Sequence, residues 1–257
     1  MPGVSNRLSP WFLLLLAVSL VGGVVAALAG AVPLQPHSSV ALTTGIVLLV
    51  LGGWTVSLCL HEFGHAFVAY RAGDVTVRDK GYLTLDIRRY TDVGLSFVLP
   101  ILFLLIGGIP LPGGAVWINH GLVRSRAARS LISLAGPAMN LILGAILTLA
   151  VANIPMPYGL VIGLSALALI QVLAFVLNIL PIPGLDGFGV IEPYLRPGAR
   201  QVAAKVRPWA PLVLFVVLIS FTAAQQVFFD VSSWIFSSVG GVDAFAAYGY
   251  TELLFWR

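Results

Sequence analysis

The chain has 257 residues, of which 59% are hydrophobic and only 9% charged. A soluble domain carries roughly 25% charged residues, so this chain lacks the polar surface for a globule in water and belongs in a bilayer, with a length that suits one helical membrane domain. Its net charge of +4 is too small to point to nucleic acid, and a single cysteine, Cys59, excludes an intrachain disulfide.

In chain order, Arg7 precedes an apolar run over 11–32. Ala27-Leu28-Ala29 resembles a signal-peptide cleavage site, but a run of about 22 residues exceeds the 7–15 of a signal core and reads as a retained first span. A second span is expected over 40–70, followed by Arg71, Arg78, Lys80, Arg88 and Arg89. Arg124, Arg126 and Arg129 introduce a span over 130–153, and another follows over 158–180. Arg196, Arg200, Lys205 and Arg207 precede a last span over 209–229. The aromatic tail, 231–257, is broken by Gly240-Gly241 and Asp243. It reads as an interfacial helix, with a sixth span as the alternative.

The connections at 33–39 and 154–157 hold no Lys or Arg. By the positive-inside rule the N-terminus and the three basic loops face the cytoplasm. The apolar stretch 94–111 then has basic loops on both sides and must enter and leave by the same face. Two full helices need about 40 residues, more than 94–120 offers. With Gly107-Gly108, Pro110, Pro112 and Gly113-Gly114 in it, 94–120 reads as a re-entrant segment, a form of backbone tolerated in a membrane only when buried or facing water. A single crossing by 94–111 is the alternative. The expected fold is an all-α polytopic membrane protein with five to six transmembrane helices and a β-like re-entrant segment.

His61-Glu62-Phe63-Gly64-His65 is an H-E-x-x-H motif within the second span. Positions i and i+4 share one helix face, so two histidines can grip one metal while the glutamate reaches a water at it. Ionisable side chains inside a span are costly and commonly functional. A catalytic zinc needs a third protein ligand and an open position. The acidic residues in or beside apolar segments are Glu62, Asp92, Asp186 and Glu192. Asp186 follows Pro181, Pro183 and Gly184, which stop the preceding helix. The topology brings that helix end to the side where the second span finishes, so Asp186 is the expected third ligand.

These motifs resemble the site-2 protease family of intramembrane zinc metalloproteases. H-E-x-x-H on the second span, Ala135-Gly136-Pro137-Ala138-Met139-Asn140 on the middle helix and Asn178 to Gly187 (N-x-x-P-x-P-x-L-D-G) match its three motifs in order and spacing over about 40–190. The resemblance implies one Zn²⁺ per chain on His61, His65 and Asp186, and Glu62 as the general base. It puts Asn140 and Asn178 at polar positions near the metal, where either is a candidate for holding the oxyanion. It also implies that Gly113, Gly114, Ala115 and Val116 form a strand edge that clamps an unwound substrate. PDZ and nucleotide-sensing modules of other members are not evident, so the chain is similar to minimal members, with the usual substrate-gating module either missing or supplied by a membrane partner.

The implied activity is cleavage of transmembrane segments of single-span proteins, in regulated proteolysis or signal-peptide clearance. The implied location is the plasma membrane of a bacterium, with the active site opening to the cytoplasm. A membrane protease using Glu192 as third ligand, or a metal transporter needing no Glu62, are the competing readings. His120, beside Asn119, reads as an interfacial loop histidine.

Overall fold

The computed structural model describes residues 8–30, 39–90 and 116–256. Among these the chain is all-α. Helix α1 is Pro10–Ala29, α2 Val40–Arg71, α3 the single turn Thr76–Asp79, α4 Arg126–Asn153, α5 Tyr158–Asn178, α6 Asp186–Ile191, α7 Pro197–Val206, α8 Ala210–Ser220, α9 Thr222–Ser238 and α10 Asp243–Leu253. Helices α1, α2, α4 and α5 are long and apolar enough to cross a membrane, and the bent pair α7–α8 makes up to five. Serine hydroxyls start three of them: Ser9 accepts from Trp11 N–H, Ser39 from Leu42 N–H and Ser125 from Ala128 N–H. Each satisfies a helix-end amide that no carbonyl reaches.

Helices α1 and α2 pack through small residues. A Cβ on Gly45 would lie 2.5 Å from the Ala26 amide nitrogen, and one on Gly52 would lie 2.9 Å from that of Ser19. Ser19 Oγ donates to the Leu49 carbonyl at 3.0 Å. Such close approach supplies dispersion contacts where lipid removes the usual hydrophobic drive. Helix α5 is central: Ile162, Ala166, Ala168, Val172, Leu173 and Leu177 are wholly or almost wholly buried. The opposite surface of α1 and α4 is apolar and exposed, with Leu14, Leu20, Val24, Ile142 and Ile146 outward, as a lipid-facing surface is.

The basic segments gather at one end. Ser9 N–H bonds to the Thr84 carbonyl, and Ser130 Oγ to the Val190 carbonyl. The Arg88 guanidinium lies 5.2 Å from the Trp11 ring centroid. At the other end Gly159 N–H meets the Gly30 carbonyl.

The C-terminal third departs from the expected single span over 209–229. The chain is extended at Phe221, which splits it into α8 and α9. Helix α8 has 11 residues, about 16 Å at 1.5 Å per residue, and α7 meets it at 62°. The break lets Phe228 and Phe236 of α9 turn into the core cluster around Leu173, Val176 and Leu177. The aromatic tail also packs on the bundle. Tyr158 is in ring contact with Phe245 and Tyr248, and Gly249 of α10 sits against the Ile162 carbonyl. Glu252 is buried and accepts from Thr43 Oγ1 at 2.6 Å. Most of the proposed re-entrant segment, 94–115, lies outside the described residues.

Candidate active site

Three helices and one turn bring the chemical groups together. On α2, His61, Glu62 and His65 are all buried. Helix α4 crosses α2 closely at Gly64, where a Cβ would lie 2.9 Å from the Ala135 carbonyl oxygen. Helix α5 ends at Asn178, and the chain turns through Pro181 and Pro183. Gly184 takes φ +102°, a left-handed conformation that a side chain disfavours. The turn returns Asp186 to the histidines as the first residue of α6. Gly187 fits directly under the Ile179 carbonyl, where a Cβ has no room.

His61 Nε2 lies 3.1 Å from Asp186 Oδ2, and His65 Nε2 lies 3.4 Å from Asp186 Oδ1. The two Nε2 atoms are 3.2 Å apart. One ligand atom from each of these residues falls within 4.8 Å of the others, a span that a single metal ion bridges. The opposite ring nitrogens are committed. His65 Nδ1 is 2.6 Å from the Ile132 carbonyl oxygen, which only accepts, so this nitrogen donates. Asn140 Nδ2 donates to Gln171 Oε1 at 2.8 Å, leaving Asn140 Oδ1 to accept from His61 Nδ1 at 2.6 Å. With both Nδ1 positions donating, each ring leaves its Nε2 on the Asp186 side, free to serve a metal as a lone-pair donor when the imidazole is neutral.

Gly136 closes the site from α4. A Cβ there would collide with His65 Nε2 and lie 2.5 Å from His61 Nε2, so backbone replaces side chain against the lone pairs. Glu62 Oε2 is buried with no hydrogen-bond partner among the described residues, and the Val116 backbone N–H faces the same carboxylate. An unpaired buried acceptor is expensive; here it adjoins a cradle of two nitrogens and a carboxylate. The donor set, the glycine cradle and the orphaned oxygen together fit a zinc ion with a water beside it.

The remaining expected residues divide. Asn140 is part of the network, bonded at both ends of its amide. Asn178 is buried, but its Nδ2 donates to the Ala174 carbonyl on its own helix. Val116 has irregular backbone, and no strand occurs among the described residues; its N–H is turned to Glu62 rather than outward. Gly113, Gly114 and Ala115 lie outside the described residues. Residues 116–119 are held by the segment that follows α2. The fully buried Asp74 accepts from Asn119 N–H at 2.7 Å, and Lys80 Nζ donates to the Trp117 carbonyl at 2.8 Å. Glu192 pairs with Arg207 at 2.6 Å and is not in the metal-binding group.

Gln171 and Gly136 also take part in the site's geometry; the sequence reading passed over the first and gave the second no role beyond its motif. A glutamine in the middle of a nearly apolar helix was the available signal for the first, since amides in a span seek partners. Asn140→Leu is expected to lower zinc affinity by about 10–100-fold, as loss of an outer-shell partner does. Competition with a chromophoric chelator measures it, and Gln171→Leu should give a smaller loss in the same direction.

The profile of peptidase family M50 matches residues 46–158. A protein named zinc metalloprotease Rip2 from Mycobacterium tuberculosis is 45% identical over 254 residues, covering 98% of this chain and 95% of its own. The Mycolicibacterium smegmatis protein of the same name is 42% identical over the same coverage. The zinc metalloprotease named YwhC from Bacillus subtilis is 30% identical over 180 residues, 64% of this chain and 77% of its own. No solved structure shows a significant match. Near end-to-end similarity to named zinc metalloproteases, with the paired histidines meeting Asp186, makes this membrane protein a member of peptidase family M50, the site-2 proteases.

Proposed function

We propose that the chain is a zinc-dependent endopeptidase that cuts transmembrane segments of single-span proteins, with one Zn²⁺ on His61, His65 and Asp186. The observation that carries this is the convergence of two Nε2 atoms and one carboxylate beside the unpaired oxygen of Glu62. Zinc bound there supplies a Lewis acid for the scissile carbonyl and lowers the pKa of a water to about 7.

The chain's own groups do the rest. Glu62 Oε2 takes the proton of the attacking water and passes it to the leaving amine. Asn140 and Gln171 hold His61, and the Ile132 carbonyl holds His65, so the ligands do not reorganise during the reaction. Asn140 is engaged at both ends; Asn178, which gives one amide hydrogen to the Ala174 carbonyl, has a second to offer the oxyanion. A helical substrate shields its own peptide bonds and must unwind before attack. The stretch 113–116 is placed in sequence to pair with the unwound chain, and such pairing falls on the groups before the Val116 amide. The charge pattern supports an orientation with the N-terminus and the Asp186 end facing the cytoplasm.

Two histidines alone make a poor zinc site. Asp186→Ala is therefore expected to lose its zinc on dialysis against a mild chelator under conditions where the unmodified protein keeps one equivalent. Stoichiometric zinc in that variant would move the third ligand elsewhere.

A further inference from the structure

Beside Asp186 opens a cleft of about 380 Å³ whose lining includes Arg129, Ser133, Asp186, Glu192, Arg200 and Arg207. Three guanidiniums meet two carboxylates there, and one of those, Asp186, faces the histidines. Two of the arginines are fixed by backbone carbonyls rather than neutralised. Arg200 donates to the Leu195 and Pro193 carbonyls, and Arg129 to those of His120 and Val123. Arg129 Nε is buried with no partner among the described residues. Arg207 alone is paired, with Glu192, and its side chain is half exposed. Burial and the neighbouring Arg129 hold His120, also on the wall, toward its neutral form. The cleft is thus a rigid positive surface with one exchangeable counter-charge.

We infer that this cleft receives acidic side chains from the substrate flank that leaves the membrane at the basic end of the bundle. The inference rests on the proteolytic reading and narrows its substrate class. Continuity with the site favours a peptide. Asp186 belongs to both, so an extended chain cut at the metal runs its next three or four residues, about 10–13 Å, through the cleft. Carboxylates on those residues meet guanidiniums already held in place, which favours binding through charge-assisted bonds. Glu192 is the intramolecular carboxylate they displace from Arg207.

The test uses the full chain as Glu62→Gln in phosphatidylcholine nanodiscs. The probes are two fluorescent peptides with one apolar segment and either four acidic or four neutral flanking residues. The acidic peptide is expected to bind about tenfold tighter. Arg207→Gln should cut the preference to about twofold without changing zinc content or binding of the neutral peptide. Glu192→Gln, which frees Arg207, should widen it. Equal binding of the two peptides, or a preference that neither variant moves, overturns the inference. Loss of the preference on adding short-chain phosphatidylglycerol also overturns it, in favour of a lipid headgroup. Failure of the proteolytic reading would look different: zinc-loaded unmodified protein would cut neither peptide while the binding preference persisted.

Discussion

Glu62→Gln should keep one zinc per chain and lose peptide cleavage by about 10²–10⁴-fold, the range a positioned general base contributes. Glu62 neighbours a proposed ligand in sequence without joining the metal-binding group, so the substitution leaves both Nε2 atoms and the Asp186 carboxylate in place. Gln matches Glu in shape and can still face the Val116 amide, but it cannot accept the proton of the attacking water. The readouts are elemental analysis of the purified variant and hydrolysis of a single-span reporter in detergent. Zinc lost together with activity would make Glu62 a structural element of the site rather than its base. A transporter has no need of this side chain, so the same variant separates transport from proteolysis.

Gly136→Ala should abolish zinc binding in a chain that still folds. Zinc–nitrogen bonds are about 2.0–2.1 Å, whereas a methyl carbon requires about 3.5–4 Å from its neighbours. The added Cβ would collide with His65 Nε2 and lie 2.5 Å from His61 Nε2, so it fills the place where the lone pairs converge. Helix α4 has little latitude to yield, because Pro137 follows directly and Gly64 of α2 already abuts Ala135. Alanine favours helix over glycine by about 1 kcal/mol, which works against general unfolding. Gly144→Ala on the same helix is the control. Its Cβ meets its nearest neighbours at 3.3 Å, and the variant should keep zinc. Far-UV circular dichroism and zinc content of the two variants decide the matter, and full zinc occupancy in Gly136→Ala would show that the cradle yields.

The three side chains that meet at the proposed metal position were legible in the sequence. His61 and His65 declare themselves by spacing in an apolar run, and Asp186 by the shortage of other acids near a helix end. The four long helices follow from uninterrupted apolar length and from the basic clusters between them. Apart from Gln171, what escaped is carried by backbone or by tertiary contact. The Ile132 carbonyl that fixes His65 and the Val116 amide that faces Glu62 have no letter of their own. Gly136 reads as part of a motif, yet its purpose appears only when the histidines are placed against it. The break at Phe221 is invisible in a run as apolar as 209–229, because packing of Phe228 and Phe236 against α5 decides it rather than local propensity. In the same way Gly249 and Glu252 tie a tail that composition alone assigns to an interface.

The most direct test of intramembrane proteolysis is quantitative proteomics of membranes from cells carrying either the unmodified chain or Glu62→Ala. Single-span proteins, or the membrane stubs of proteins already cut outside the bilayer, should accumulate in the variant. In the unmodified cells, new termini mapping within transmembrane segments of those same proteins should appear and be absent from the variant. Membranes with the same single-span proteins and the same termini in both strains, at equal levels of the chain, would contradict the account.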